Sequence, residues 1–284
     1  MTTSQIVEFS GKDGITLVAD EWVPESPASG SAPPTVLLLH GGGQNRHSWK
    51  NTGQVLGDQG FHVVAVDTRG HGDSDRSPDA DYAIETLAAD VHALIDAVGP
   101  PVVLIGASMG GLTGILAASE AGPERVTKLV LVDVVPRFEK SGSARIRDFM
   151  FNHVHGFDSL EEAAEAVAEY LPHRTKPRSP EGLKKNLRLR DGRWYWHWDP
   201  AFLTKPADDP FERTDKLEAA AMGLQIPILL IRGKLSDVVS TKGVNDFLEK
   251  VPRAEFVELS GAGHTAAGDD NDAFSDVVVQ FVTR

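Results

Sequence analysis

Residues 101–112 read PVVLIGASMGGL, and the reading of this stretch decides the fold. Four apolar β-formers at 102–105 run without alternation, which predicts a strand buried on both faces of a parallel sheet. The chain must then turn hard. Gly106-Ala107-Ser108-Met109-Gly110 fits G-x-S-x-G, the nucleophile elbow, in which a serine on a tight strand-to-helix turn raises its hydroxyl above the sheet. Gly110 and Gly111 let the helix-compatible run that follows, GLTGILAASEA, lie close to neighbouring strands. The setting carries more weight than the pentapeptide: a buried strand before it, a helix after it and partner residues downstream.

Working upstream, TVLLLH at 35–40 is a second buried strand that runs into Gly41-Gly42-Gly43, and HVVAV at 62–66 is a third, ending in the polar loop DTRGHGDS at 67–74. Residues 51–59 make a short helix between them. Ile84, Leu87, Ala88, Val91, Leu94, Ile95 and Val98 keep the three-and-four spacing of one helix face, and Gly99-Pro100 stops that helix. At the start, runs at 5–10 and 15–23 flank the turn sequence GKDG and predict an antiparallel hairpin at a sheet edge. Downstream, KLVLVD at 128–133 is a further buried strand. Strand and helix in alternation predict an α/β fold with helices on both faces of a mostly parallel sheet. Ligands of such sheets sit beyond the strands' carboxyl ends, where His40-Gly41-Gly42, Asp67 and Ser108 all stand.

The alternation stops over residues 136–222 and resumes with ILLIR at 228–232, a helix over 241–250, EFVELS at 255–260 and a last helix bearing Phe274, Val277, Val278 and Phe281. The expected organisation is therefore a core of 1–135 and 223–284 carrying a helical lid of 136–222. Within the lid, the capping box Ser159-Leu160-Glu161-Glu162 opens one helix, and Ser179-Pro180 opens another with Leu183 and Leu187. Trp194-Tyr195-Trp196-His197-Trp198 follows. Its tryptophans Trp194, Trp196 and Trp198, with Gly41 and Gly43, are candidates for a substrate pocket, or equally for packing the lid onto the core.

Composition narrows the partners. The 284 residues carry 41 acidic and 28 basic side chains, a formal charge of −13, whose field repels phosphate backbones and anionic lipid surfaces. We therefore expect a small-molecule substrate, no nucleic acid and no membrane. The chain has no cysteine, which excludes disulfides, thiolate metal sites and a cysteine nucleophile and fits a reducing compartment. The N-terminal stretch has no secretory pattern and no apolar run reaches 18 residues, so a cytoplasmic location is expected. The sequence leaves the oligomeric state open, a homo-oligomer included.

A serine hydroxyl needs a histidine to take its proton and a carboxylate to hold that histidine. Asp237, in GKLSD after the strand ILLIR, and His264, in GAGH after EFVELS, follow Ser108 in the order Ser, Asp, His. Asp133, at the end of KLVLVD, is the rival acid. The oxyanion of the tetrahedral intermediate is expected to meet the Met109 amide, at a helix start, and a second amide from the glycine loop, with Gly42 preferred over Gly41 and Gly43. His40 is expected to fix that loop by hydrogen bonding, and Asp67 and His71 to order their own turn. A basic run in the lid, including Arg174, Lys184, Arg188 and Arg193, either attracts a carboxylate-bearing substrate or pairs with Asp158, Glu161, Glu162, Glu165 and Glu169.

HGGGQNRHSW, DTRGHGDSD, GASMGG, GKLSD and GAGH, in this order and spacing, resemble the α/β-hydrolase superfamily, particularly its small bacterial esterase, haloperoxidase-like and epoxide-hydrolase-like branches. The resemblance covers about residues 5–135 and 223–284. It implies a mostly parallel eight-stranded sheet with the lid inserted after strand 6, and a cofactor-free, metal-free triad of Ser108 as nucleophile, His264 as base and Asp237 as acid, with Gly42 and Met109 as oxyanion hole. A serine at the elbow departs from the aspartate of epoxide hydrolases and haloalkane dehalogenases, and Gly42 departs from the aromatic residue that many haloperoxidase-like members carry after His-Gly. The expected activity is hydrolysis of a small or medium carboxylic ester. The alternatives are carbon-carbon, lactone or amide cleavage, perhydrolysis, or a ligand-sensing receptor of the same fold.

Overall fold

Strand residues that point alternately up and down must find apolar cover on both sides, and the order of the elements supplies it. A computed structural model describes residues 2–24, 33–170, 179–204, 210–260 and 272–284. Its main sheet holds β1 (Ser4–Ser10), β2 (Thr16–Trp22), β3 (Thr35–Leu39), β4 (Val63–Val66), β5 (Val102–Ala107), β6 (Val126–Val132), β9 (Ile228–Gly233) and β10 (Ala254–Leu259). They lie in the order β1-β2-β4-β3-β5-β6-β9-β10. β1 with β2 and β2 with β4 are antiparallel, and all other neighbours are parallel. This is the eight-stranded, mostly parallel sheet that the resemblance implied.

The faces separate by parity. Leu37, Leu39 and Leu104 pack under α2 (Ile84–Val98), α3 (Met109–Ala121), α7 (Pro210–Gly223) and α8 (Thr241–Lys250). Val36, Leu38, Val103 and Ile105 pack against α1 (Lys50–Asp58) and α9 (Asp272–Thr283), with Trp22 and Trp49 fully buried beside them. No described helix is long and apolar enough to cross a membrane.

Between β6 and β9 the chain forms α4 (Lys140–Asn152), α5 (Leu160–Tyr170), β7 (Leu187–Arg190), β8 (Arg193–Trp196) and α6 (Ala201–Thr204) before α7. Phe157, Leu160, Ala163, Leu187, Trp196 and Trp198 make a separate apolar cluster here. Two expectations are corrected. The second lid helix is only a short 3-10 turn, Pro180–Lys185, and Leu187 opens an antiparallel hairpin instead. Asp191 (φ 49°) and Gly192 (φ 80°) both take the left-handed backbone that a two-residue hairpin turn requires, and the alternation of Leu187 and Leu189 with arginines suits a strand. In addition, α7 buries Leu217 and Ala221 in the core cluster, so the chain re-enters the main body before residue 223. Half of the expected capping box forms at Ser159: its Oγ accepts the Glu162 amide at 3.1 Å, while the Glu162 carboxylate accepts the Asp158 amide at 2.6 Å instead of that of Ser159.

The loops above the sheet are fixed by a buried ionic knot. Arg46, on the loop after β3, donates to Asp20 (3.0 Å), Asp67 and Asp73 (2.8 Å). Asp67, fully buried, also accepts the amides of Arg46 (2.7 Å) and Asp73 (2.9 Å). Asp67 thus joins the loops after β3 and β4. Asp67→Ala strips an acceptor from two amides and a counter-charge from Arg46, each loss costing about 1–3 kcal/mol. A urea melt is expected to show at least about 3 kcal/mol of destabilisation, by the same reckoning.

Candidate active site

The elbow forms at the end of β5. Ser108 has φ 47° and ψ −116°, a strained conformation that its neighbours impose. A Cβ on Gly106 would stand 2.3 Å from the Gly110 carbonyl oxygen, and one on Gly110 would stand 2.3 Å from that of Leu39. One on Gly111 would meet Val134 at 2.5 Å. Glycine is therefore required at all three positions for α3 to leave the sheet where it does. Half-buried, Ser108 lines a cavity of about 450 Å³.

The glycine loop after β3 borders the same cavity, and its three amides differ in their partners. The Gly41 N–H donates to the Gln44 side chain at 3.0 Å and the Gly43 N–H to His71 Nε2 at 3.1 Å. Those of Gly42 and, at the first turn of α3, Met109 have no acceptor among the described residues. A Cβ on Gly42 would lie 3.8 Å from the Met109 sulfur, and one on Gly41 would lie 3.3 Å from the Ser108 Cβ. Two unengaged donors thus flank the serine.

Three buried histidines hold this loop. His40 Nε2 accepts the Thr68 amide at 2.9 Å, so its Nδ1 carries the proton and donates to the Gly41 carbonyl at 2.8 Å. His71 sits 5.2 Å from His40 between ring centroids and His197 6.0 Å from His71. His197 Nδ1 accepts the Gly72 amide at 2.8 Å. Burial pushes His40 down to about 4 and His71 to about 3, and it holds His197 well below the usual histidine range. The expected role of His40 is met. His71 does more than order its own turn, since it holds Gly43. Sequence reasoning gave no role to Gln44, inside HGGGQNRHSW, or to His197, inside the tryptophan-rich stretch, because neither motif names the amide that each side chain accepts.

The two candidate acids occupy different settings. Asp133 follows β6, whose Val132 carbonyl accepts the Ser108 amide at 3.1 Å, so Asp133 lies one residue along from Ser108's own partner. It is fully buried, has φ 51°, and accepts from the Gly233 amide (3.1 Å) and the Ser236 hydroxyl (2.5 Å). Asp237 lies on the loop after β9, 42% exposed, with its carboxylate ion-paired to Arg145 of α4 at 2.8 Å. That pair fastens the lid to the core loop. His264 lies outside the described residues.

The cavity walls are mostly apolar. Trp196, Trp198, Phe202 and Met150 come from the lid, and Leu112, Val134 and Val238 from the core. Trp194 is not in the lining and packs against the lid cluster, pairing through its backbone with Phe157. The basic lid run splits: Arg193 pairs with Asp158, Lys184 with Glu181 and Arg188 with Asp73, whereas Arg174 lies outside the described residues.

Residues 34–270 match the description of the alpha/beta hydrolase fold. The chain belongs to the α/β-hydrolase fold family. It is 28% identical over 257 residues to esterase Rv0045c of Mycobacterium tuberculosis, covering 88% of this chain and 83% of that protein. It is also 28% identical to the mouse sn-1-specific diacylglycerol lipase ABHD11, covering 88% and 81% of the two chains. An α/β hydrolase from Novosphingobium aromaticivorans superposes with a TM-score of 0.82 at 26% identity, covering 100% of this chain and 99% of the other. In this α/β hydrolase the parallel strands deliver the serine and the glycine loop to one cavity wall.

The histidines carry a pH signature. Their folded pKa values lie below the unfolded value of about 6.5, so the unfolded chain binds more protons and stability falls as pH drops through the window from about 6.5 to 4. Urea midpoints measured at steps of pH are expected to decline across that window, and His71→Gln is expected to flatten the decline.

Proposed function

We propose that this α/β hydrolase cleaves a small or medium carboxylic ester through an acyl-enzyme, with Ser108 as nucleophile, His264 as general base and Asp133, in place of Asp237, as the triad acid. The esterase and lipase relatives support a hydrolase acting on ester bonds. The observation that carries the reading is the pair of unengaged amides, Gly42 and Met109, beside a serine on a strained elbow. Two partly buried amides on the cavity wall, without a described protein acceptor and beside a nucleophile, suit an oxygen that becomes negative only during reaction.

In the proposed cycle Ser108 Oγ attacks the ester carbonyl while its proton passes to His264. The oxyanion is held by the Gly42 and Met109 amides. Collapse expels the alcohol, which leaves with the proton from His264, and the acyl group stays on Ser108. Water then attacks the acyl carbon, giving a proton to His264, and the second collapse returns that proton to Ser108 and frees the acid. The acid's task is to hold the imidazole and offset its charge.

Asp133 is favoured for that task by burial, by two hydrogen bonds that fix its carboxylate, and by its register beside Ser108. Asp237 is exposed and engaged by Arg145. Fluorophosphonate labelling is expected at Ser108 and absent in Ser108→Ala, which also loses turnover of a short-chain nitrophenyl ester. Asp133→Asn is expected to lower kcat by about 10³–10⁴, the scale of losing a triad carboxylate, and Asp237→Asn to leave it within about twofold, as expected for an exposed ion pair. Steady-state kinetics on the two variants decide between the acids.

A further inference from the structure

Among the described residues two charged side chains line the mostly apolar cavity, Arg147 from α4 and Arg213 from α7, and no described aspartate or glutamate does. In a chain of net charge −13, that arrangement is the reverse of the molecule as a whole. Several other arginines are met by acids: Arg46 by Asp67, Arg69 by Asp90, Arg137 by Glu218, Arg145 by Asp237, Arg188 by Asp73. Neither Arg147 nor Arg213 has an ion pair or hydrogen bond with the described residues. Glu85, which feels the Arg213 charge, is itself ion-paired to Lys216 at 2.5 Å. Arg213 is half-buried beside apolar walls, where a guanidinium interacts more strongly with an anion than in open water, Arg147 is exposed, and the planar fork of each matches a carboxylate.

We propose that Arg147 and Arg213 form a carboxylate subsite, so that the preferred substrate is an ester that carries a second, free carboxylate. This rests on the ester-hydrolase reading above. A carboxylate fits better than a phosphate group. The flat guanidinium fork matches a planar carboxylate edge to edge, and the remaining described lining, including Ile146, Phe149 and Leu203, suits a short hydrocarbon link between the two functions. The subsite sorts substrates by charge, while Ser108 acts on the ester.

Matched ester pairs test this: mono-4-nitrophenyl glutarate against 4-nitrophenyl pentanoate for a charge on the acyl side, and 4-carboxyphenyl butyrate against phenyl butyrate for one on the alcohol side. In at least one pair the wild-type kcat/KM is expected to favour the carboxylate by tenfold or more at low salt. Arg147→Gln and Arg213→Gln are each expected to cut that preference by roughly tenfold, through KM, while the neutral ester keeps its rate. Arg190→Gln, on the exposed lid hairpin, serves as control and is expected to keep the preference. Neutral esters preferred in both pairs, a phosphate-bearing ester preferred over the carboxylate, or a preference unmoved by both substitutions would overturn the proposal.

A binding measurement separates this proposal from the hydrolase reading. Calorimetric titration of the Ser108→Ala protein with each intact carboxylate ester is expected to show binding that Arg147→Gln and Arg213→Gln weaken. If wild type turns over no ester yet this binding is seen, the hydrolase reading fails and the subsite stands. Turnover without carboxylate-dependent binding sinks the subsite alone.

Discussion

The constraint on which the rest depends is the contact between α3 and the strands beneath it. Gly106, Gly110 and Gly111 remove every Cβ that would stand between the elbow, the Leu39 carbonyl and Val134. A single methyl at Gly110 would overlap the end of β3, and the cheapest relief is to lift the helix. Lifting it would carry the Met109 amide away from Gly42 and Ser108 away from Val132. The close approach therefore sets the serine's strained backbone, the spacing of the two open amides, and the alignment of Ser108 with the residue that follows β6.

Around that contact the chain uses buried polar groups to hold backbone dipoles still. His40 and His71 grip the carbonyl of Gly41 and the amide of Gly43, and Gln44 takes the amide of Gly41. The consequence is negative as well as positive: with its neighbours engaged, the Gly42 amide keeps one orientation and meets no acceptor among the described residues. Orientation fixed before a charge appears avoids reorganisation when it does. The neutral state of the histidines follows from the same dryness, and a charge on either ring would disturb the loop it holds.

Much of the core was legible because it obeys a period. Uniform apolar runs at 36–39 and 102–105 and the three-and-four spacing over 84–98 require burial on both faces or on one, and the elements appear there. The lid was less legible, since Leu183 and Leu187 are four apart and read as a helix, while the Asp191-Gly192 turn that reverses the chain was overlooked. The sequence favours Asp237, in GKLSD, over Asp133, because it shows where strands end but not which partners each carboxylate meets. Both end a strand at the same sheet edge, and the difference lies in long-range partners: Ser236 and Gly233 for one, Arg145 for the other. Arg147 and Arg213 are 66 residues apart on separate helices, and no spacing rule joins them.

The placing of the lid and of the acid we assign are connected. The lid leaves the sheet just after Asp133, and its far end returns through β9 to Gly233 and Ser236, which grip the Asp133 carboxylate. Glu139, at the lid's entry, donates its amide to the Val238 carbonyl at 2.8 Å, and Gly142 packs so closely that a Cβ would lie 2.3 Å from the Asp237 carbonyl oxygen. The lid's entry is therefore tied to the loop that carries Ser236, one of the partners of the Asp133 carboxylate. Asp237, four residues beyond Gly233, then serves as the outer fastening of α4, and α4 is the helix that brings Arg147 to the cavity. Gly233 of β9 and Ser236 of the loop after it hold Asp133, and the lid's entry packs on that same loop, so under the proposed assignment the acid's anchors and the lid's attachment share one segment of chain.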